Sequence, residues 1–236
     1  MTDLHTHILP GIDDGAKTVE DSLTLLRMER SQGVDAVVLT PHFYRDRENP
    51  KNFLRRRREA ALALGKRILE LPKEEREALP ELYLGAEVAW RPGMADWDEL
   101  PYLCIGETKN LLLELPFAPW NDQMISQLYD FIGRTGITPV IAHLERYLKN
   151  QRPELIRDVL ALGVPIQFSG DVLLHPLTRG GVIKLLRQGR GFLLASDCHD
   201  CIQRPPNLAT AMEVVRRKLG DQLAEMLIRC GDALVQ

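Results

Sequence analysis

Seven short apolar runs, each separated from the next by a helix-forming segment or a long excursion, constrain this chain more than any single motif. They occupy residues 3–7, 35–40, 82–86, 110–114, 138–142, 165–168 and 191–195. Each is mostly bounded by glycine, proline or polar residues, the pattern of strands buried on both faces. Between them the spacing predicts helices over residues 19–32, 51–71, 122–135, 153–162, 182–188 and 207–219, with 221–230 closing the chain. Strand followed by helix, repeated, specifies a parallel sheet. At 236 residues the natural closure is an α/β fold of the distorted TIM-like (β/α)7 barrel type. An open doubly wound sheet is the alternative. No glycine- or serine-rich linker and no internal repeat divides the chain, so residues 1–236 read as one domain.

Charge and composition exclude several function classes. A net charge of -3 gives no general reason to expect nucleic acid as a partner. No apolar run reaches the ~20 residues a membrane helix needs, and the N-terminus has neither the basic nor the apolar region of a signal peptide. A cytoplasmic protein without membrane insertion is expected. Four cysteines do not make a disulfide framework in a chain this long, and Cys198 and Cys201, a lone CxxC, read as ordinary thiols. Residues 45–80 are the most polar part. Their run Arg55 to Arg58 reads as a solvated helical face, partly balanced by Glu59, Glu74, Glu75 and Glu77.

The residues that carry chemistry fall at the ends of the predicted strands. His5 and His7, in DLHTHILPGIDDG, are two apart on a strand and so share a face. His42 follows VVLT, Glu87 follows LYLGA, Glu114 ends LLLE, His143 follows TPVIA, and Asp197 and His199 follow FLLAS. In a parallel barrel these C-terminal ends converge on one mouth, where active sites are built. Five of the six histidines belong to this set, with His175 the exception. With Asp14, from the acid pair Asp13–Asp14, there are nine candidate ligands, enough for two or three ions. Imidazole and carboxylate without thiolate suit Mn, Fe or Zn. Clustered ions of this kind hydrolyse phosphoesters. Arg146 and Arg204 lie close in sequence to His143 and His199, where guanidinium groups would grip phosphate oxygens. Phe43, Tyr44, Trp90, Phe117 and Trp120 follow strand ends, as pocket-lining or packing residues.

The pieces DLHTHILPGIDDG, TPH, GAEV, LLLEL, PVIAHLERY and SDCHD with the following RPP resemble the polymerase-and-histidinol-phosphatase (PHP) superfamily. More narrowly, they are similar to its bacterial metal-dependent protein-tyrosine phosphatases of capsule and exopolysaccharide systems, the CpsB/YwqE type. The resemblance runs from about residue 3 to residue 207. It implies a distorted barrel with up to three ions, usually Mn or Fe. His5, His7, Asp14, His42, Glu87, Glu114, His143, Asp197 and His199 match ligand positions. Arg146 and Arg204 match phosphate-binding positions. It further implies attack on phosphotyrosine by a metal-bridging hydroxide, with His199 a candidate proton donor, and a bacterial tyrosine kinase tail as the substrate. Another PHP phosphoesterase, such as a histidinol-phosphate phosphatase, is the nearest alternative; a non-enzymatic metal-bound scaffold is a more distant one. Cys198 and Arg204 also form a Cys-x5-Arg spacing, but CHDCIQR lacks the glycines of a phosphate-cradling loop.

Overall fold

The computed structural model describes residues 1–189 and 191–236. Among these, nine strands occur: β1 (Thr2–Thr6), β2 (Ala36–Leu39), β3 (His42–Phe43), β4 (Glu81–Leu84), β5 (Glu87–Ala89), β6 (Asn110–Glu114), β7 (Thr138–Ile141), β8 (Ile166–Ser169) and β9 (Phe192–Ala195). All pairings are parallel, in the orders β1-β2-β4 and β3-β5-β6-β7-β8-β9. Two strand pairs are halves of single staves. Pro41, which has no N–H to give the ladder, separates β2 from β3. Gly85 and Ala86 separate β4 from β5. Pairing continues across the breaks, because Gly85 N–H donates to the Leu39 carbonyl (2.9 Å) and Glu87 N–H to the Pro41 carbonyl (3.1 Å). The ring closes where Asp197 N–H donates to the His5 carbonyl and His7 N–H to the Cys198 carbonyl, both at 2.9 Å. The result is a closed barrel of seven staves rather than an open sheet.

The two faces of each stave bury different cores. Leu4, Val38, Ile105, Leu112, Val140, Ala142 and Leu193 pack inside the barrel, sealed below by Tyr83, Leu234 and Val235. The alternate residues pack outward under the helices. The helices are α1 (Val19–Ser31), α2 (Pro50–Leu69), α3 (Lys73–Ala78), α4 (Asp122–Thr135), α5 (Pro153–Ala161), α6 (Asp171–Leu174), α7 (Arg179–Leu186), α8 (Leu208–Leu219) and α9 (Asp221–Asp232). Thr18 opens α1 with a capping box to Asp21.

The sequence reading placed the seven staves and seven of these helices. It missed β3 and β5, two- and three-residue continuations beyond a break, and the short helices α3 and α6. Helix α3 buries no residue, so it has no apolar periodicity to detect. Helix α7 starts earlier than expected and includes Gly180 and Gly181, residues of low helix propensity.

The arginine run is a correction. Arg55 does face water, paired with Glu59. Arg56, however, donates to the Ile12 carbonyl (2.6 Å) and pairs with Glu48, while Arg57 donates to the carbonyls of Gly85 and Tyr102 (both 2.7 Å). Burial pulls the Arg57 guanidinium down to about 10. Helix α2 therefore staples the loop after β1 and the break between β4 and β5. Arg57→Ala, which leaves the buried Gly85 carbonyl without its donor, is expected to cost about 1–3 kcal/mol. Arg55→Ala should cost nearly nothing. Thermal unfolding of the two variants checks this: equal melting temperatures would show that the Arg57 contacts carry no weight.

Candidate metal centre

Glu87, at the start of β5, is the carboxylate on which the mouth converges. Its Oε2 lies 2.7 Å from His42 Nδ1, 3.3 Å from His5 Nε2 and 3.5 Å from His7 Nε2, and its Oε1 lies 2.7 Å from His143 Nε2. The residue is 1% exposed. Burial alone would raise its pKa, but the surrounding imidazoles, His5 foremost, hold it well below the usual carboxylate range.

A bulge puts His5 there. Two residues of β1, Leu4 and His5, oppose one of β2, Val38, between the pairs Asp3↔Val37 and Thr6↔Leu39. Leu4 can then fill the barrel interior while the next residue also turns inward. The bulge amide, His5 N–H, donates to Asp3 Oδ1 (3.2 Å), and Asp3 also accepts from Ser196 N–H. At two other strand ends the backbone is left-handed without glycine, at His143 (φ 32°) and Asp197 (φ 54°). Such positions cost about 1–3 kcal/mol each and cluster at functional sites.

The acid pair divides its labour. Asp13 Oδ2 accepts from His7 Nδ1 (2.8 Å) and His42 N–H (3.1 Å), and Asp13 Oδ1 from Gly15 N–H (2.9 Å). Burial opposes its charge, but these bonds, led by the one from His7, keep the carboxyl well below its ordinary pKa. With Nδ1 donating, His7 turns the Nε2 lone pair to the mouth. Asp14, 64% exposed, faces the mouth directly, with Oδ1 3.4 Å from both His42 Nε2 and His199 Nε2. Glycine is required beside this pair: a Cβ on Gly15 would lie 1.9 Å from the His7 carbonyl oxygen.

The donors fit cations. His5 Nε2 and His7 Nε2 face each other at 3.2 Å, which two lone pairs cannot do favourably without a proton or a cation between them. His199 Nε2 is buried without a hydrogen-bond partner, and Glu87 Oε2, although 2.7 Å from His42 Nδ1, meets no donor at a hydrogen-bonding angle. Three groups could each hold an ion: His7, Asp14, His42 and His199; His5, His7 and Glu87; His42, Glu87 and Glu114. Asp197 Oδ1 adjoins the first two, 3.4 Å from His5 Nε2 and 3.5 Å from His7 Nε2. His143 joins through Glu87 and lies 3.6 Å from Glu114. All nine expected ligands thus meet in one place, and none of the close donors is sulfur.

Both arginines reach this place. Arg146 and Arg204 each pair with Asp197 Oδ2, the latter at 2.8 Å. Cys198 does not join them. Its thiol is fully buried, turned to Glu29 Oε1 (3.6 Å), and pushed well up by burial and then by the charges of Glu29 and Asp3. That excludes the thiolate chemistry its spacing with Arg204 suggested. Of the aromatic candidates, Phe43, Trp90 and Trp120 are core residues. Tyr44 lies beside His42, and Phe117 is exposed, stacked on His143. His175 stands apart, exposed and paired with Asp171.

Sequence reasoning missed Gln167, whose Oε1 accepts from His143 N–H (2.6 Å) and lies 3.3 Å from His5 Nδ1. A buried glutamine inside an apolar run was the available signal.

The family model for capsular polysaccharide synthesis, CpsB/CapC, matches residues 1–234. The tyrosine-protein phosphatase CpsB of Streptococcus agalactiae is 30% identical, across 96% of this chain and 94% of its own length. The tyrosine-protein phosphatase YwqE of Bacillus subtilis is 28% identical, across 100% and 92%. A solved structure from work on B. subtilis YwqE and Streptococcus pneumoniae CpsB, described as unique metal-dependent tyrosine phosphatases, superposes with a TM-score of 0.83 at 26% identity, covering 100% of this chain and 94% of that one. A TatD-family hydrolase from Entamoeba histolytica shares the fold at a TM-score of 0.53 and 12% identity, across 98% and 95%.

Two outcomes follow from this geometry. Asp13→Ala keeps every mouth donor but frees the His7 ring, and should weaken divalent-ion affinity about 10–100-fold. Titration calorimetry reads this directly, and undiminished affinity would remove Asp13 from its orienting role. The His5 and His7 pKa values are raised: burial lowers them, but Glu87 and Asp197, and for His7 also Asp13, outweigh it. Glu114 is pushed up to about 7 by burial and then by Glu87. Incoming cations must displace these protons, so apparent affinity should climb with pH through the neutral range and uptake should release protons. A flat profile would contradict that.

Proposed function

This chain belongs to the CpsB/CapC family of capsular polysaccharide synthesis, and from that premise we propose that it is a metal-dependent protein-tyrosine phosphatase. The observation that carries this reading is the meeting of Arg146 and Arg204 on Asp197, at the edge of the converged imidazoles and carboxylates. The nine residues His5, His7, Asp14, His42, Glu87, Glu114, His143, Asp197 and His199 would hold the ions. Bound there, divalent ions supply an activated water and stabilise charge on the phosphoryl oxygens.

The side chains do the rest. Arg146 and Arg204 orient the phosphoryl group and neutralise charge that spreads over its equatorial oxygens in the transition state. Both guanidiniums pair with Asp197, so a phosphate would compete for groups already gathered at the mouth. The leaving tyrosine phenolate has a conjugate acid of pKa ~10, so it needs less help from a general acid than an alkoxide would. His199 is a poor proton donor. Its Nδ1 donates to the Asp197 carbonyl (3.0 Å), and burial, then the His7 charge, pull it down to about 4. A neutral ring offering Nε2 suits ligation instead.

Charge supports more than one ion. The mouth sets the four carboxylates of Asp14, Glu87, Glu114 and Asp197 against two guanidiniums. One divalent cation only cancels the excess, and a second is needed before the mouth attracts a phosphate dianion. The donor set suits Mn or Fe, with Zn possible, as two or three ions per chain. Among the described residues no helix is long and apolar enough to cross a membrane. We place the protein in the cytoplasm, acting on the tyrosine-phosphorylated tail of a bacterial kinase of capsule or exopolysaccharide synthesis.

The decisive assay is hydrolysis of a phosphotyrosine peptide with chelator, then with Mn added back. Activity should vanish and return, and Cys198→Ser should leave it intact. Arg204→Ala should lower kcat/KM about 10²–10³-fold. Preference for histidinol phosphate over the peptide would overturn the substrate assignment, and chelator-resistant activity would overturn the mechanism.

A further inference from the structure

A cavity of about 800 Å³ opens on one flank of the mouth. Its walls are the turn after β7, helices α6 and α7, and the loop of residues 203–207. It is continuous with the candidate centre, because Arg146, Asp197 and Arg204 form its shared wall. A phenyl phosphate group with its phosphorus at those arginines fills only a small part of such a space. Sites for small ligands are usually matched to what they bury, and the remaining volume here has a definite chemistry. Leu148, Val172 and Leu177 line it with apolar surface, Leu177 being 99% exposed at the rim. Lys149 stands exposed at the edge. Asp171 already faces His175. Ser169 Oγ and Asn207 Oδ1 are buried behind this wall without a hydrogen-bond partner, the latter packed against Gly170.

We propose that this cavity is the subsite for the polypeptide flanking the phosphotyrosine, taking apolar side chains against Leu148, Val172 and Leu177 and an acidic one against Lys149. The inference rests on the phosphatase reading above and adds what distinguishes a protein substrate from a free aryl phosphate. Contacts remote from phosphorus would then add binding energy shared by the bound substrate and its transition state.

Helix α7 offers a clean way to close the cavity. Gly181 lines it, and a Cβ there would meet only Leu148 Cδ1, at 4.0 Å. Gly181 has no left-handed backbone requirement, so Gly181→Leu grows into the space without straining the helix. The ion-loaded enzyme is assayed on p-nitrophenyl phosphate, free phosphotyrosine, and phosphotyrosine hexapeptides with Glu/Leu or with Lys/Gly flanks. In the natural sequence kcat/KM should rise about tenfold or more from free phosphotyrosine to the Glu/Leu peptide, chiefly through KM. Gly181→Leu should erase that gain and keep p-nitrophenyl phosphate hydrolysis within about twofold. Lys149→Glu should reverse the preference between the two peptides. Equal efficiency on free phosphotyrosine and peptide, or a full gain retained in Gly181→Leu, overturns the proposal. If Gly181→Leu also loses p-nitrophenyl phosphate hydrolysis, the length dependence of the natural enzyme and the Lys149→Glu preference decide alone. An enzyme inert toward every ester, p-nitrophenyl phosphate included, would instead sink the phosphatase reading itself.

Discussion

One buried carboxylate, Glu87, in contact with four imidazoles is the interaction on which the rest of this structure depends. An isolated charge in a barrel interior would be too costly to keep, and a lone carboxyl there would simply take up a proton. Imidazoles on every side make the ionised form the favoured one. The arrangement also reaches round the barrel: its four histidines come from the staves of β1, β2/β3 and β7. Any shift in the registers of those staves would take a nitrogen away from Glu87. The barrel's geometry and the electrostatics of its mouth are therefore one problem, solved together.

An outer ring of polar groups solves it. Asp13 fixes His7, Gln167 lies against His5 and ties His143 to β8, and Asp3 satisfies the amide freed by the bulge. These groups keep imidazole rings turned so that lone pairs rather than N–H groups face the mouth. They also hold the left-handed backbone at His143 and Asp197, which no local preference favours.

This division explains what the sequence could reveal. Staves were legible because strands buried on both faces write apolar runs between breakers, and the mouth residues were legible because imidazoles and carboxylates stand at the ends of those runs. Asp13 and Asp14 were not separable, since adjacent acids have the same spacing to everything and only the turn built on Gly11 and Gly15 decides which one faces inward. Gln167, Asp3, Arg56 and Arg57 escaped because their partners lie far away in sequence or depend on a bulge. A run of four arginines looks like a solvated face until the tertiary fold brings the carbonyls of Ile12 and Gly85 within reach.

The same contacts make the mouth asymmetric. On the side of β1 to β5, helix α2 pins the backbone through Arg56 and Arg57, and the strands pair along most of their length. On the side of β7 and β8 the pairing is reduced to Ile141↔Ile166, with the Gln167 side chain extending it to His143. This seam, with a single residue pair, is thin in backbone bonds and lies beside the open cavity. Ion ligation tolerates little displacement, whereas a polypeptide threading past the site needs room at its wall. Fixed backbone under the imidazoles and a side-chain link under the cavity satisfy both demands within one barrel.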